Sequence, residues 1–201
     1  MNLKNLTYQG PQIDDAQTLE DLPNDYQVLL RQINGFVQFG NGLHIRGVCK
    51  QPAWHSITTV WTGTLALSHL YPNIRADDIP FGQDAFGDQF FLRHDFVHRL
   101  YGETGETESL HCRLSAFLES VQADPIGYLG LEPLIRFNNE GGALELGQLL
   151  NVYPPFCTKE SELGVSLKAI SFDERIKFLA NFASKIAAID DGEKVGVTVK
   201  A

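Results

Sequence analysis

The chain is predicted to fold as an α+β protein, a mainly antiparallel sheet flanked by helices and followed by a helical C-terminal extension. Three observations carry that prediction. Apolar residues at helical spacing mark one helix before a cluster of strand-like segments and further helices after it. The segments between are short aromatic and β-branched runs bounded by turn residues. Strand and helix signals do not alternate as βαβ units would require. With 201 residues, 43% of them hydrophobic, the chain is long and apolar enough to bury a sizeable core.

Residues 1–18 lack periodicity and carry Gly10-Pro11 and Asp14-Asp15, so they are read as a loosely ordered lead-in to an α+β domain over residues 19–129. Leu22-Pro23 opens a helix in which Tyr26, Leu29, Leu30 and Ile33 share one face, and Asn34-Gly35 can close it with a left-handed residue. Phe36–Phe39 and Leu43–Val48 read as two strands around Gly40-Asn41-Gly42, which tolerate the positive φ of a hairpin turn. Residues 52–75 fit neither the helical nor the strand period.

Ile79 to Tyr101, IPFGQDAFGDQFFLRHDFVHRLY, outlines a β meander. Asp84, Gly87 and Asp88 supply a turn, because Gly accepts positive φ and Asp side chains bond nearby backbone amides. Gln89–Arg93 and Phe96–Tyr101 are the flanking strands, His94-Asp95 is the bend between them, and Gly102–Gly105 a second hairpin turn. Leu114, Phe117, Leu118 and Val121 form another helical stripe, ended at Asp124-Pro125 and followed by a short helix over Ile126–Leu129. Residues 130–190 are assigned to an extension packed on the domain. Its first part, with Gly141-Gly142, Tyr153-Pro154-Pro155 and Gly164, reads as a loop-rich crossing. Its last part is a helix with Ser171 and Glu174 in a capping-box pattern and Ile176, Leu179, Ala183 and Ile186 on one face. Residues 191–201 are read as a tail, in which Val195–Val199 has the composition of an edge strand.

The net charge is −9, and residues 61–110 hold three basic against eight acidic groups. That balance argues against direct nucleic-acid binding, which requires clustered Lys and Arg. Solvated turns favour Asp, so the cluster is explained by ordinary solubility or by an acidic docking face for a basic partner. Trp54, Trp61, Phe86, Phe90, Phe91 and Phe96 read as core rather than as an exposed hot spot, and Phe86, at a turn tip between Asp84 and Asp88, is the one whose position most favours exposure.

No catalytic arrangement is legible. His94 and His98 are four apart, a spacing that aligns ligands only on a helix, so no metal site is expected. Asp84 and Asp88 read as turn ingredients rather than an acid/base pair. Gly82 to Gly87 has a phosphate-loop glycine step, but Asp88 stands where a Lys is needed, and no GxSxG elbow is present. Cys49, Cys112 and Cys157 are odd in number and far apart, which suits buried, reduced thiols. Neither a signal segment nor a run of about 18 apolar residues is found, so a soluble cytoplasmic protein without a membrane partner is expected.

The segments LPNDYQVLLRQINGF, IPFGQDAFGDQFFL, VHRLYGE and LSAFLESV together resemble the SUKH superfamily of Smi/Knr-type domains over Leu22 to Leu129. The resemblance implies an α+β fold, no cofactor, and function by protein binding. Bacterial members neutralise toxins, often nucleases, whose nucleic-acid grooves are basic. On this reading the protein is a non-enzymatic immunity protein, and its partner-binding residues are Asp77, Asp78, Asp84, Phe86, Asp88, Glu103, Glu106 and Glu108. The alternatives are a regulatory scaffold docking on endogenous proteins and a small hydrolase with an unrecognised site.

Overall fold

Seven strands lie side by side in chain order, each antiparallel to the next: β1 (Leu6–Gln9), β2 (Phe36–Gln38), β3 (Leu43–Ile45), β4 (Ile79–Asp84), β5 (Gln89–Arg93), β6 (Phe96–Leu100) and β7 (Thr107–Ser109). The computed structural model describes residues 3–188. The tail and its edge-strand segment, Val195–Val199, lie outside the described residues. Helices α1 (Ala16–Glu20) and α2 (Asn24–Gln32) join β1 to β2, and α3 (Ile57–Trp61) and α4 (Leu67–Leu70) join β3 to β4. After the sheet come α5 (Leu114–Ala123), α6 (Pro125–Leu129) and α7 (Glu132–Asn139). A separate antiparallel hairpin of β8 (Gln148–Tyr153) and β9 (Ser166–Ser171) holds a 3-10 turn at Lys159–Leu163 in its loop, and α8 (Phe172–Ile186) ends the fold. The protein is α+β.

Alternation along the strands splits the core between the two faces of the sheet. Phe90 and Leu92 of β5 point to one face, where Phe81, Leu30 of α2 and Phe117 of α5 are buried with them. Phe91 points to the other, with Leu100, Tyr71 and the inner stripe of α8, Ile176, Ala180 and Ala183. Arg93 pairs with Phe96, and His94 and Asp95 have φ of 51° and 66°. The expected bend is therefore a two-residue turn with both central residues left-handed. The α2 and α5 stripes are also found as expected, and Asp124 both follows α5 and caps α6, accepting from Gly127 N at 2.9 Å.

Three expectations need correction. The lead-in is not loose: β1 pairs with β2 along the sheet edge, and Asp15 caps α1 by accepting from Thr18 N at 3.1 Å. Three of the four β1 residues are exposed, so no apolar pattern betrays it, and backbone pairing with help from Gln38 Nε2, which donates to Lys4 O at 2.5 Å, holds it. The crossing at residues 130–170 is not loop-rich throughout, since it contains α7 and the β8–β9 hairpin. Ser171 does stand at the start of α8, but its side chain makes no capping hydrogen bond. The unassigned segment at 52–75 forms α3 and α4, each too short to show a period.

Candidate functional site: an acidic cleft beside the Asp84 turn

The β4–β5 turn is built around one carboxylate. Asp84 Oδ1 accepts the backbone N–H of Phe86 at 2.9 Å, Gly87 at 2.9 Å and Asp88 at 3.0 Å. Its Oδ2 faces Arg99 of β6 at 3.2 Å, and Arg99 Nε donates to Asp88 Oδ2 at 2.9 Å. Asp88 Oδ1 accepts from Gly102 N at 2.8 Å, so the same pair of carboxylates also anchors the β6–β7 turn. Burial, then the neighbouring Asp88 charge, pushes the Asp84 carboxyl up to about 7, against the pull of Arg99 and the amides toward the ionised form.

The C-terminal extension closes over this turn. Leu150 N donates to Ala85 O at 2.8 Å, Arg175 Nε of α8 to Phe86 O at 2.9 Å, and Arg175 NH1 to Asn151 Oδ1 at 2.8 Å. Glu103 Oε2 accepts from Cys157 N at 2.9 Å. Gly87 has φ of 98°, and a Cβ there would stand 2.6 Å from Leu179 Cδ1, so the turn needs glycine for its backbone and for its contact with α8. Phe156 meets Phe86 edge to face at 5.6 Å.

Between the meander and the extension lies a cleft of about 440 Å3 whose walls include Asp88, Tyr101, Glu103, Glu106, Phe156 and Arg175. A second hollow of about 350 Å3, with Phe90, Glu108, His111 and Tyr128 in its walls, adjoins it. Arg99 and Tyr101 belong to both. The Arg99 guanidinium lies 4.9 Å from the Tyr101 ring centre, and the Tyr101 hydroxyl donates to Glu108 Oε2 at 2.5 Å. Glu106 and Glu108 are exposed on the rim.

Of the eight residues singled out in the sequence, Phe86, Asp88, Glu103 and Glu106 line the larger cavity and Glu108 the smaller. The other three do not join them as a docking face. Asp84 is buried beneath the cleft as the turn's acceptor. Asp78 is buried at the opposite end of β5, where Arg93 Nε and NH2 donate to it at 2.8 and 2.6 Å, and Asp77 is exposed beside it. Phe86, whose turn-tip position favours exposure, is only 8% accessible because Phe156 and α8 cover it. Glu103 is buried too, at 9%. The side chains that complete the cleft and the adjoining hollow without any sequence signal are Arg99, Tyr101, Tyr128, Phe156 and Arg175. They come from β6 and the turn after it, α6, the β8–β9 loop and α8, and only the fold brings them together.

The cysteines offer no activated thiol. Cys157 is exposed, contrary to expectation, but burial of its sulfur and the Glu103 charge push its thiol up to about 12. Burial raises Cys49 to about 11. A second polar cluster lies across the sheet, where buried His44 Nε2 and His55 Nδ1 stand 2.9 Å apart and His55 Nε2 stands 2.9 Å from Asn34 O. Asn34 O can only accept, so His55 donates from Nε2 and receives from His44. Among the described residues no group of three or more His, Cys, Asp or Glu is placed to hold a metal ion, and no helix is long and apolar enough to cross a membrane.

No family model and no curated protein matches the chain. Among solved structures it is similar to Atu4351 from Agrobacterium tumefaciens, at 12% identity over 87% of this chain and 85% of that one, with a TM-score of 0.51. At that identity the likeness establishes a shared α+β fold, and what defines this molecule beyond the fold is its acidic, aromatic-walled cleft.

Proposed function

We propose that this protein is a non-enzymatic immunity protein that acts in the cytoplasm by binding a basic toxin domain directly. The observation that carries the reading is the convergence of Asp88, Glu103 and Glu106 on one cleft, with Glu108 in the adjoining hollow, where the two cations in the cleft walls, Arg99 and Arg175, are already engaged within the protein. What remains for a partner is negative charge beside an exposed ring, Phe156. The loop that carries Phe156 also presents Leu163, 93% exposed, with Glu160 and Glu162 around it. An apolar anchor beside complementary charge is the combination that gives protein interfaces both affinity and rapid association. The SUKH resemblance supports the same reading. The face assigned to binding is therefore narrower than the acidic meander as a whole: it is the cleft rim and the β8–β9 loop, without Asp77, Asp78 and Asp84.

The test is growth of cells expressing any candidate toxin domain encoded beside this gene, with and without this protein, followed by co-purification of the pair. Rescue with a stable complex is expected. Glu106→Lys combined with Glu108→Lys should weaken the complex by about 10- to 100-fold, because the reversed charges would face a basic partner and like-charge juxtaposition is costly, whereas Asp77→Lys should leave it unchanged. Unchanged affinity in the double variant would remove the cleft assignment, and the absence of both rescue and complex would remove the immunity reading.

A further inference from the structure

Glu103 keeps one acceptor unmet. Its Oε2 accepts from Cys157 N at 2.9 Å, but Oε1 is buried with no hydrogen-bond donor, the nearest cation being Arg175 NH2 at 3.7 Å. A buried carboxylate oxygen in that state is short of a donor, and such groups call for an explanation. The two guanidiniums in the cleft walls do not supply one. Arg99 is held by Asp84 and Asp88, and Arg175 spends its Nε and NH1 on Phe86 O and Asn151 Oδ1. At the mouth of the same cavity Glu106 is exposed, and the Phe156 ring is 42% exposed.

We propose that the cleft is a receptor for one arginine side chain of the protein partner, with the guanidinium donating to Glu103 and Glu106 and its plane laid along Phe156. This rests on the reading that the protein works by binding a basic partner, and it names the chemical group that is read. Charge selects a cation: Asp88, Glu103 and Glu106 outnumber Arg99 and Arg175 in the walls. Shape selects guanidinium over ammonium. A guanidinium is planar, carries five N–H donors, is weakly hydrated and stacks on aromatic rings, so one group can serve two separated carboxylates and a ring at once, whereas an ammonium is a compact, strongly hydrated point charge. The volume of about 440 Å3 leaves ample room for one such side chain.

The test is an NMR titration of the full protein with N-acetyl-arginine amide, with the N-acetyl-citrulline and N-acetyl-lysine amides as comparisons. Shifts confined to the amides of residues 101–106 and 156–157 are expected, saturating with a Kd on the order of 1–10 mM, reasonable for a single side chain. Citrulline, the neutral isostere, should produce none of them, lysine should bind several-fold more weakly, and Glu106→Gln should weaken arginine by about threefold or more while leaving the rest of the spectrum in place. No confined shifts at about 100 mM, or citrulline or lysine binding as well as arginine, would overturn the proposal. Rescue from the toxin with a silent titration would remove the arginine pocket alone, and a positive titration without rescue would remove the immunity reading and leave the pocket standing.

Discussion

Asp84 and the His44–His55 pair are buried titratable groups that pull stability in opposite directions with pH. In the folded state Asp84 is pushed up to about 7 from 3.8, so folding favours its protonated form, and the stability this gives at low pH is lost as pH rises from 3.8 toward 7. His55 is pulled down from 6.5 to about 4 and His44 well below 6.5, chiefly by burial, so folding favours their neutral forms, and that stability is lost as pH falls below 6.5. Between pH 5 and 6.5 the unfolded chain therefore binds protons at both histidines that the native state refuses, while the native state holds one at Asp84. Partly buried His98, also lowered, adds to the histidine side. Denaturant unfolding across that window should show stability rising with pH by about 1–2 kcal/mol per unit. His44→Leu, which removes one refused proton, should reduce the slope by about 1.4 kcal/mol per unit. An unchanged slope would mean that the histidine pair is not held neutral by the fold. None of this was legible in the sequence. Asp84 was rightly read as a turn residue, but its burial under Arg99 and α8 depends on contacts from residues far away in the chain.

At the scale of elements, what the sequence disclosed depended on whether a segment's pattern is set locally. The α2 and α5 stripes and the β5–β6 hairpin are local: period, caps and turn residues lie within a few positions of one another. β1, with one partly buried residue, carries no period of its own, and β9 alternates only between exposed and half-buried positions, so both depend on a neighbouring strand for backbone partners. The β5–β6 turn is the element that departs most from its ideal chemistry. His94 and Asp95 both occupy the left-handed region, which Asn-Gly accommodates with less strain, and both are exposed. Replacing them together, His94→Asn with Asp95→Gly, should stabilise the protein by about 1 kcal/mol and raise the Tm by a few degrees. A fall in Tm would show that one of the two side chains serves a purpose beyond the turn.

At the scale of the molecule, the extension is part of the cleft rather than an appendage. It supplies Phe156, Cys157 and Arg175, and it closes the far face of the sheet by burying Ile176, Ala180 and Ala183 against Tyr71 and Leu100. α2 and α5 cover one face of the sheet; on the other, Val60, Leu67 and Tyr71 from the α3–α4 segment cover only part of the cluster around Phe91 and Leu100, and the domain assigned to residues 19–129 would lack the rest of that cover, Phe172, Ile176, Ala180 and Ala183, without α8. The cleft and the second core are thus coupled through Arg175, buried at 1% accessibility with its guanidinium on Phe86 O, Asn151 Oδ1 and, more distantly, Glu103. Arg175→Leu keeps an apolar stem against the core but leaves those acceptors buried without a donor and Glu103 without its counter-charge. A loss of about 3 kcal/mol is expected, at the lower end for breaking a buried charged network. Because that loss falls on the junction, hydrogen exchange should locate it: amides of α8 and β8 should exchange about 100-fold faster, as tenfold per 1.4 kcal/mol requires, while those of β2 and β3 change less. Uniform acceleration across the whole chain would instead show that extension and sheet unfold only together, in which case the cleft cannot open without global unfolding and any partner must meet it already formed.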